Sequence, residues 1–597
     1  MIQPDRPLRV AALAKQIPVV EDLHLDDDGR LIRDGLELHM NDYCRRAVRK
    51  GIEIAEASGG TLTVITMGPP SADTVLREAI ACGAHAGIHV CDPACAGSDT
   101  WATAKTLAAA IEATGPFDLI LCGRNAVDAD TGQVPPELAE FLGMPFVAGV
   151  RELSLEGDTL AVGLEHDDEW VEATVALPAI VSCAERLCDP CKIKDPAVWA
   201  KVDATMITLL SAAELGPGPW GAPASPTSVG EVRQVAIDRE NLVLDGSTGG
   251  AVNAAVVSTM EALVRRGALV DAHHDGPATP TVPQTGGDGP VVAVCVEPAR
   301  DTMTAELLGA AATLAAELGG SVVAIGPAPV GDLGPQGADV VVELDGATVE
   351  EDIAHGVADW AGETIPWAIL APGTAWGREV ASRVAARVDA GLTGDAVGLA
   401  VRAGRLVADK PAFGGSLVAE IHASSAIQMA TVRAGVLPVS TPRDGVAATM
   451  QRRAVDARSR VRVVDRRRED DAEELATAQV VIGVGQGIDP ADYPAINAHA
   501  AELGAALCAT RKVTDNGWMP RARQVGITGH SIAPRLYIAV GLSGKYNHTA
   551  GVNAAGTIVA VNPDSEAPVF GYADVGIVGD WREVLEALTP AIVAASR

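Results

Sequence analysis

Short unbroken aliphatic runs, each followed by a helical pattern of about 10–15 residues, alternate along most of this chain, and that alternation restricts it to parallel sheets wrapped by helices. Strands are predicted at 7–14, 61–66, 87–91 and 118–122, with helices at 42–58, 71–82, 101–114 and 134–142. Residues 150–182 change to the two-residue period of hairpin strands (DTLAVGLEH, WVEATVALPAIVSC). The polar, Pro- and Gly-rich stretch 271–289 reads as a linker, and beyond it the pattern restarts. Strands at 291–296, 321–325, 339–343 and 367–371 alternate with helices at 301–318, 350–362 and 376–388. A third series has strands at 479–484, 505–509, 535–540 and 557–561 and a closing helix at 581–595, with Trp581, Val584, Leu585, Leu588 and Ile592 on one face. The expected fold class is α/β: three doubly wound parallel-sheet domains, two of them similar and pseudo-symmetric. The expected boundaries are 1–270, 271–289 (linker), 290–460 and 461–597. The first unit would end in an extended arm at 214–230 and a closing helix at 251–267.

Composition narrows the function classes. Aromatic residues make up 3% of the chain against 48% hydrophobic residues overall, so the cores must be aliphatic, as buried parallel strands require. A net charge of −32 argues against nucleic acid or an anionic membrane surface as partner. Local basic clusters such as Arg466-Arg467-Arg468, followed at once by Glu469-Asp470-Asp471, read as a mixed-charge surface or linker. No apolar run reaches the roughly 18 residues of a membrane span and no cleavable leader is visible, so a cytoplasmic, reduced protein is expected. Most of the ten cysteines lie in aliphatic runs, Cys122 and Cys295 among them, and read as core residues. Cys188-Asp189-Pro190-Cys191 reads either as two thiols in a turn or as a redox or half-metal site, with Cys183 nearby and no fourth ligand evident. His273 and His274 lack ligands at metal spacing, and no metal centre is expected.

Ligands of open α/β sheets bind beyond the carboxyl ends of the strands. In the third series those ends carry Gly485-Gln486-Gly487, Thr510-Arg511, Gly541-Leu542-Ser543-Gly544 leading to Asn547-His548, and Asn562-Pro563-Asp564. Glycines let backbone N–H groups approach a pyrophosphate.

Those residues carry a resemblance. The run QVVIGVGQG, ATRKVTDNGW, QVGITGH, LYIAVGLSGKYNHTAGV, IVAVNPDSEAPVF and ADVGIVGD resembles the FAD domain of the α subunit of electron-transfer flavoproteins. GTAWGREVASRVAARVDAGLTGD, KPAFGG and MATVRAG resemble the preceding domain of the same subunit. VITMGPPSADTVLREAIACGAHAGIHV, LILCGRNAVDADTGQV and LPAIVSCAERL resemble the β subunit. The resemblance implies a single-chain fusion, β-like first and α-like second.

It also implies site residues. FAD would be held by Gly485, Gln486, Gly487, Thr510, Arg511, Gln524, Val525, Gly526, Thr528, Gly541, Ser543, Gly544, Asn547, His548, Asn562 and Asp574. Arg511 would lie by the flavin ring and favour its reduced form, Thr528 would offer its hydroxyl to N5, and His548 would lie at the ring's other polar edge. Asn562 and Asp574 would reach the adenosine. Departures from the family pattern at Gln486, Ile527, His530 and Asn547 remove charge and hydrogen bonds around the flavin and bear on its potential. A second nucleotide, AMP, would sit on Ala11, Asp130, Thr131, Gly132, Gln133 and Val134, with a second FAD as the alternative; Met40-Asn41-Asp42-Tyr43 departs from the usual motif there. The implied partners are a flavin dehydrogenase donor, with an iron–sulfur protein as a further candidate, and a quinone-linked acceptor. The rival readings are an NADH-oxidising electron-bifurcating flavoprotein with two FAD and a redox-silent nucleotide-binding module. The FAD domain is expected to swivel about residues 460–478, with 465–474 on the hinge side.

Overall fold

The computed structural model describes residues 2–18, 36–193, 195–234, 239–269, 280–412, 417–458, 460–468, 472–526 and 529–595. Three sheets organise the chain, and each buries aliphatic clusters on both faces.

The first two sheets share one plan. In the first, the order is Ala86–Val90, Thr61–Met67, Arg9–Leu13, Leu119–Gly123, Ala179–Cys183. In the second it is Val340–Asp345, Ser321–Pro327, Val291–Cys295, Ala368–Pro372, Gln428–Val432. Both therefore run third, second, first, fourth strand, then a later one, all parallel. Each is widened by a late parallel strand beside its third strand, Ile207–Leu210 in one and Thr449–Ala454 in the other. Helices Asp42–Ser58 and Asp73–Ala81 cover one face of the first sheet and Thr100–Thr114 and Val134–Leu142 the other. Helix Asp301–Leu318 covers one face of the second, and Glu350–Thr364 and Ala375–Arg387 the other.

The two units meet through a buried ionic cluster. Glu140 of the first accepts hydrogen bonds from Arg383 (2.7 Å) and His355 (3.2 Å) of the second. Arg383 is fully buried and also binds Glu379 at 3.0 Å. The Gly- and Pro-rich arm crosses between the units: Asp99 accepts from the Thr227 backbone and hydroxyl, and strand Thr227–Gln234 pairs antiparallel with Leu417–Ala423.

The third sheet has the order Ala506–Ala509, Val480–Val484, Leu536–Val540, Thr557–Asn562, Val575–Gly579, Leu242–Gly246, entirely parallel. Its strands are nearly all buried because helices or loops cover both faces. The closing helix Trp581–Ala595 buries Val584, Leu585 and Leu588 completely, each contributing about 1.5–3 kcal/mol.

Two stretches lie elsewhere than the sequence reading puts them. The helix expected to close the first unit spans Gly249–Arg265 and packs on Trp581–Ala595 of the third, and the strand before it, Leu242–Gly246, is the sixth strand of the third sheet. This short strand finds its partner more than 300 residues later, a pairing no local pattern signals. Conversely, Val461–Arg468 does not begin the third unit. It pairs antiparallel with Glu169–Ala176 on the first sheet, where Arg468 binds Asp168 (3.0 Å) and Arg466 binds Glu169 (3.4 Å). The front half of the expected swivel region is thus β-paired. Residues 271–279 of the expected linker lie outside the described residues.

Candidate functional site

The strand order of the third sheet, counted from Val480–Val484, is 2-1-3-4-5, which sets a topological switch point between the first and third strands. The loops leaving these strands touch. Gly485 donates its N–H to the Val540 carbonyl (2.9 Å) and Gly487 to the Gly541 carbonyl (3.0 Å). A Cβ at Gly485 would stand 2.2 Å from the Gly541 oxygen, and one at Gly487 2.8 Å. Gly541 and Gly544 have φ of +62° and +77°, and a Cβ at Gly544 would meet the Val569 nitrogen at 2.2 Å. These glycines make two bare-backbone loops abut at the switch point, a cradle that fits a diphosphate. Gln486 and Ser543 are exposed beside it.

The remaining expected residues group around that cradle. Thr510 donates its N–H to Val484 (3.1 Å), and Arg511 follows with its guanidinium 3.2 Å from Asp515. Asp515 lies 3.6 Å from Arg186 on the first unit, so this side faces the loop after strand Ala179–Cys183. That loop also grips Arg521 through Glu185 at 3.0 Å. Gln524 is buried and accepts from the Thr514 hydroxyl at 2.6 Å; Val525 donates to the Ala509 carbonyl and Gly526 to the His530 carbonyl, each at 3.0 Å. Asn562 bridges the third- and fourth-strand loops, donating to the Leu542 carbonyl and accepting from the Asp564 N–H, both at 2.9 Å. Thr528 and the side chain of Asn547 lie outside the described residues.

His548, expected at the flavin ring's other polar edge, has both ring nitrogens engaged within the protein. It is buried; Nδ1 donates to the Val525 carbonyl (3.0 Å), so Nε2 accepts from the Tyr537 hydroxyl (2.7 Å). Burial holds its pKa down at about 4 despite the Val525 hydrogen bond, so the ring is neutral. The Tyr537 hydroxyl occupies space that only Gly483 leaves: a Cβ there would be 1.7 Å away. Tyr537 is a residue the sequence reading missed, since only the pairing of strands brings it under His548.

Asp574 lies away from the adenosine end where it is expected. It precedes strand Val575–Gly579, at the opposite edge of the sheet from the cradle. It is wholly buried, bound to Arg239 at 2.9 Å and Arg266 at 3.1 Å, and accepts from the Ile558 N–H at 2.7 Å. It locks the 239–266 segment into the unit and cannot reach a ligand at the strands' carboxyl ends. The acid at that end is Asp580, exposed, its carboxylate accepting from the Arg582 N–H (2.8 Å) and lying 3.6 Å from the Arg582 guanidinium.

In the first unit, Asp128-Ala129-Asp130-Thr131-Gly132-Gln133 leads into helix Val134–Leu142. Gln133 is buried, accepts from the Thr100 hydroxyl (2.8 Å) and reaches the Leu392 carbonyl (3.5 Å); Gly132 has φ +64°. Thr131 lies against Gly394 of the second unit. Asp130 accepts from Asn125 at 2.5 Å, and burial raises its pKa. Ala11 is sealed in the core on the side of helix Thr100–Thr114. Asn41 roots this loop by donating to the Asn125 carbonyl at 2.7 Å, and Lys15 binds Asp128 at 2.8 Å. Where the three units meet, a cleft with about 1280 Å³ of empty space, its open mouth included, is lined by Arg124 and Asp130, by Arg378 and Asp395, and by Arg521 and His530.

A parallel sheet with glycine loops abutting at its switch point, set on two pseudo-symmetric α/β units, defines a nucleotide-binding α/β protein. Comparison with known families makes this specific. A family model described as electron transfer flavoprotein domain matches residues 28–210 and 294–459, and one described as electron transfer flavoprotein FAD-binding domain matches 474–553. The chain belongs to the electron transfer flavoprotein family, and it joins a β-like and an α-like half in one polypeptide. It is 36% identical over 306 residues to the electron transfer flavoprotein subunit alpha of Thermoanaerobacterium thermosaccharolyticum, covering 92% of that protein and 48% of this chain. It is 34% identical over 248 residues to the subunit beta of the same organism, covering 95% of that protein and 41% of this chain. It is also similar to the caffeyl-CoA reductase-Etf complex subunit CarD of Acetobacterium woodii, at 33% identity over 260 residues, 98% of that protein and 42% of this chain. The C-terminal unit is therefore an FAD-binding domain in an electron-transfer flavoprotein. Among the described residues, no helix is long and apolar enough to cross a membrane.

Proposed function

We propose that this protein accepts electrons from a partner dehydrogenase and passes them to a quinone oxidoreductase or another acceptor, using one FAD at the third sheet and one AMP in the first unit. The observation that carries the reading is the pair of bare glycine loops meeting at the switch point. Bound FAD supplies the electron-accepting and electron-donating chemistry.

The chain's own residues do the rest. Gly485, Gly487, Gly541 and Gly544 hold backbone against the diphosphate, and Asn562 fixes the relative height of the two loops. Asp580 replaces Asp574 as the acid near the adenosine end. Arg511 provides positive charge on the side facing the first unit, while His548, fixed neutral by Tyr537 and Val525, adds none. The loop Asp130–Val134, at the start of a helix and braced by Asn41 and Gln133, supports an AMP phosphate site.

The test is an absorbance spectrum of the purified chain with chromatography of the released nucleotides. One FAD and one AMP per chain is the expected result. Two FAD would favour the bifurcating reading, and a colourless chain that refuses FAD would refute the carrier.

A further inference from the structure

The loop that opens helix Val134–Leu142 of the first unit is pressed against strand Gly391–Ala396 of the second. A Cβ on Gly394 would meet the Gln133 side-chain nitrogen at 2.8 Å and the Thr131 Cβ at 3.5 Å, so a bare residue lets the two units close up. The next residue, Asp395, is held at φ +60°, and Asp130, on the first-unit wall of the same cleft, at φ +46°. Left-handed backbone outside glycine is uncommon and collects at ligand sites. Asp395 gathers two cations at the cleft wall. Arg378 reaches it at 3.2 Å, and Arg433 binds it through Nε at 3.1 Å and through Nη2. Neither guanidinium is used up. Arg378 makes this one hydrogen bond among the described residues, Arg433 Nη1 makes none, and the two side chains are 22% and 26% exposed. Lys410 joins them, donating to the Gly394 carbonyl at 3.0 Å. The neighbouring charges are engaged elsewhere. Arg300 is bound to Asp168 (2.9 Å), Glu306 accepts from the Gly435 (3.0 Å) and Leu437 (2.6 Å) N–H groups, and Asp167 caps the Ala375 N–H (2.7 Å). On the first unit Lys15 is bound to Asp128 at 2.8 Å, which leaves Arg124 as the arginine on that wall.

We propose that Arg378 and Arg433 of the second unit bind the phosphate of the nucleotide seated on Asp130–Val134, so that one anion site spans both halves of the chain. The proposal rests on the reading of AMP at that loop. The loop's backbone N–H groups take the phosphate from the first unit. From the second unit the guanidinium groups present planar N–H forks that match phosphate oxygens, and such charge-assisted bonds are roughly twice as strong as neutral ones. A phosphate monoester carries about −1.5 to −2 charges at neutral pH. The loop itself adds the carboxylate of Asp130, so the nucleotide needs more positive charge than Arg124 supplies, and the second unit has that surplus. Asp395 sets the two arginines side by side and leaves their remaining N–H groups for the ligand.

The test is calorimetric titration of the full-length chain, freed of nucleotide, with AMP and with adenosine, which differ only in the phosphate. Arg378→Gln and Arg433→Gln should each weaken AMP binding by about tenfold or more and leave adenosine binding unchanged. Arg378→Lys should recover part of the AMP loss. Equal weakening of both ligands would assign the arginines to holding the units together and overturn the proposal, as would unchanged AMP binding. Amide hydrogen exchange of the unaltered chain, with and without AMP, decides the matter even if a variant misfolds. Protection should appear at 373–378 and 431–435 as well as at 128–134, and protection confined to the first unit would overturn the shared site. An unaltered chain that binds no AMP refutes the nucleotide reading itself, whereas AMP binding indifferent to both arginines refutes the sharing alone.

Discussion

Replacing Asp574 by Asn tests whether this acid holds the chain together or serves a nucleotide. The carboxylate is wholly buried and faces two guanidinium groups; Arg239 is 7% exposed and Arg266 22%. Arg239 keeps carbonyl partners at Asn553 (3.0 Å) and Ala555 (2.9 Å), so the substitution leaves a hydrogen-bonded but uncompensated charge. Removing one partner of a buried pair costs about 3–5 kcal/mol. Arg266 is partly solvated and adds little, so roughly 3 kcal/mol is the working figure. For a unit of this size that amounts to a fall of roughly 6–12 °C in its melting temperature. The assay is thermal and urea unfolding of the apo-protein, followed through Trp581 (7% exposed) in the third unit. Replacing Asp574 and Arg239 together by Leu should recover most of the loss, because an apolar pair removes both desolvated charges. If Asp574→Asn leaves apo stability within about 1 kcal/mol of the unaltered chain, below the range for a broken buried pair, yet weakens FAD binding strongly, the acid serves the nucleotide after all.

Two more outcomes follow from the same unit. Gly485→Ala should weaken FAD binding at least tenfold, about 1.4 kcal/mol, because its Cβ would meet the Gly541 carbonyl at 2.2 Å, backbone that cannot rotate away; fluorescence titration with an unchanged Kd would contradict the cradle. His548 is neutral in the fold, with a pKa near 4 against an ordinary 6.5, so the unfolded chain binds the extra proton. Its contribution is intact above pH 6.5 and is lost as pH falls from 6.5 to 4, up to about 3 kcal/mol in all. His548→Gln should flatten the urea midpoint over that window, and equal slopes for both proteins would refute the burial argument.

Sequence patterns revealed the elements whose causes are local. Val480–Val484 and Thr557–Asn562 read as strands because both faces are buried, leaving no polar interruption. Helix Val134–Leu142 is framed by Pro135 and Pro136 in its first turn and Gly143 at its end. Elements defined by distant partners were not legible. Leu242–Gly246 and Val461–Arg468 look like loop or hinge until Val575–Gly579 and Glu169–Ala176 are seen beside them. The glycine loops of the candidate site could be read because strand ends are where ligands bind, but direction could not. Asp574 and Asp580 flank the same five-residue strand, and only the sheet's polarity separates a packing acid from a site acid.

Because its sixth strand comes from the middle of the polypeptide, the flavin-binding sheet is stitched to the rest of the molecule at three chain crossings, before residue 239, after residue 266 and before residue 472. A body hung by one tether can tumble, whereas one laced at three points can only rock. Severing the chain at the C-terminal side alone would not release a complete domain: it would tear an outer strand and its helix from the sheet.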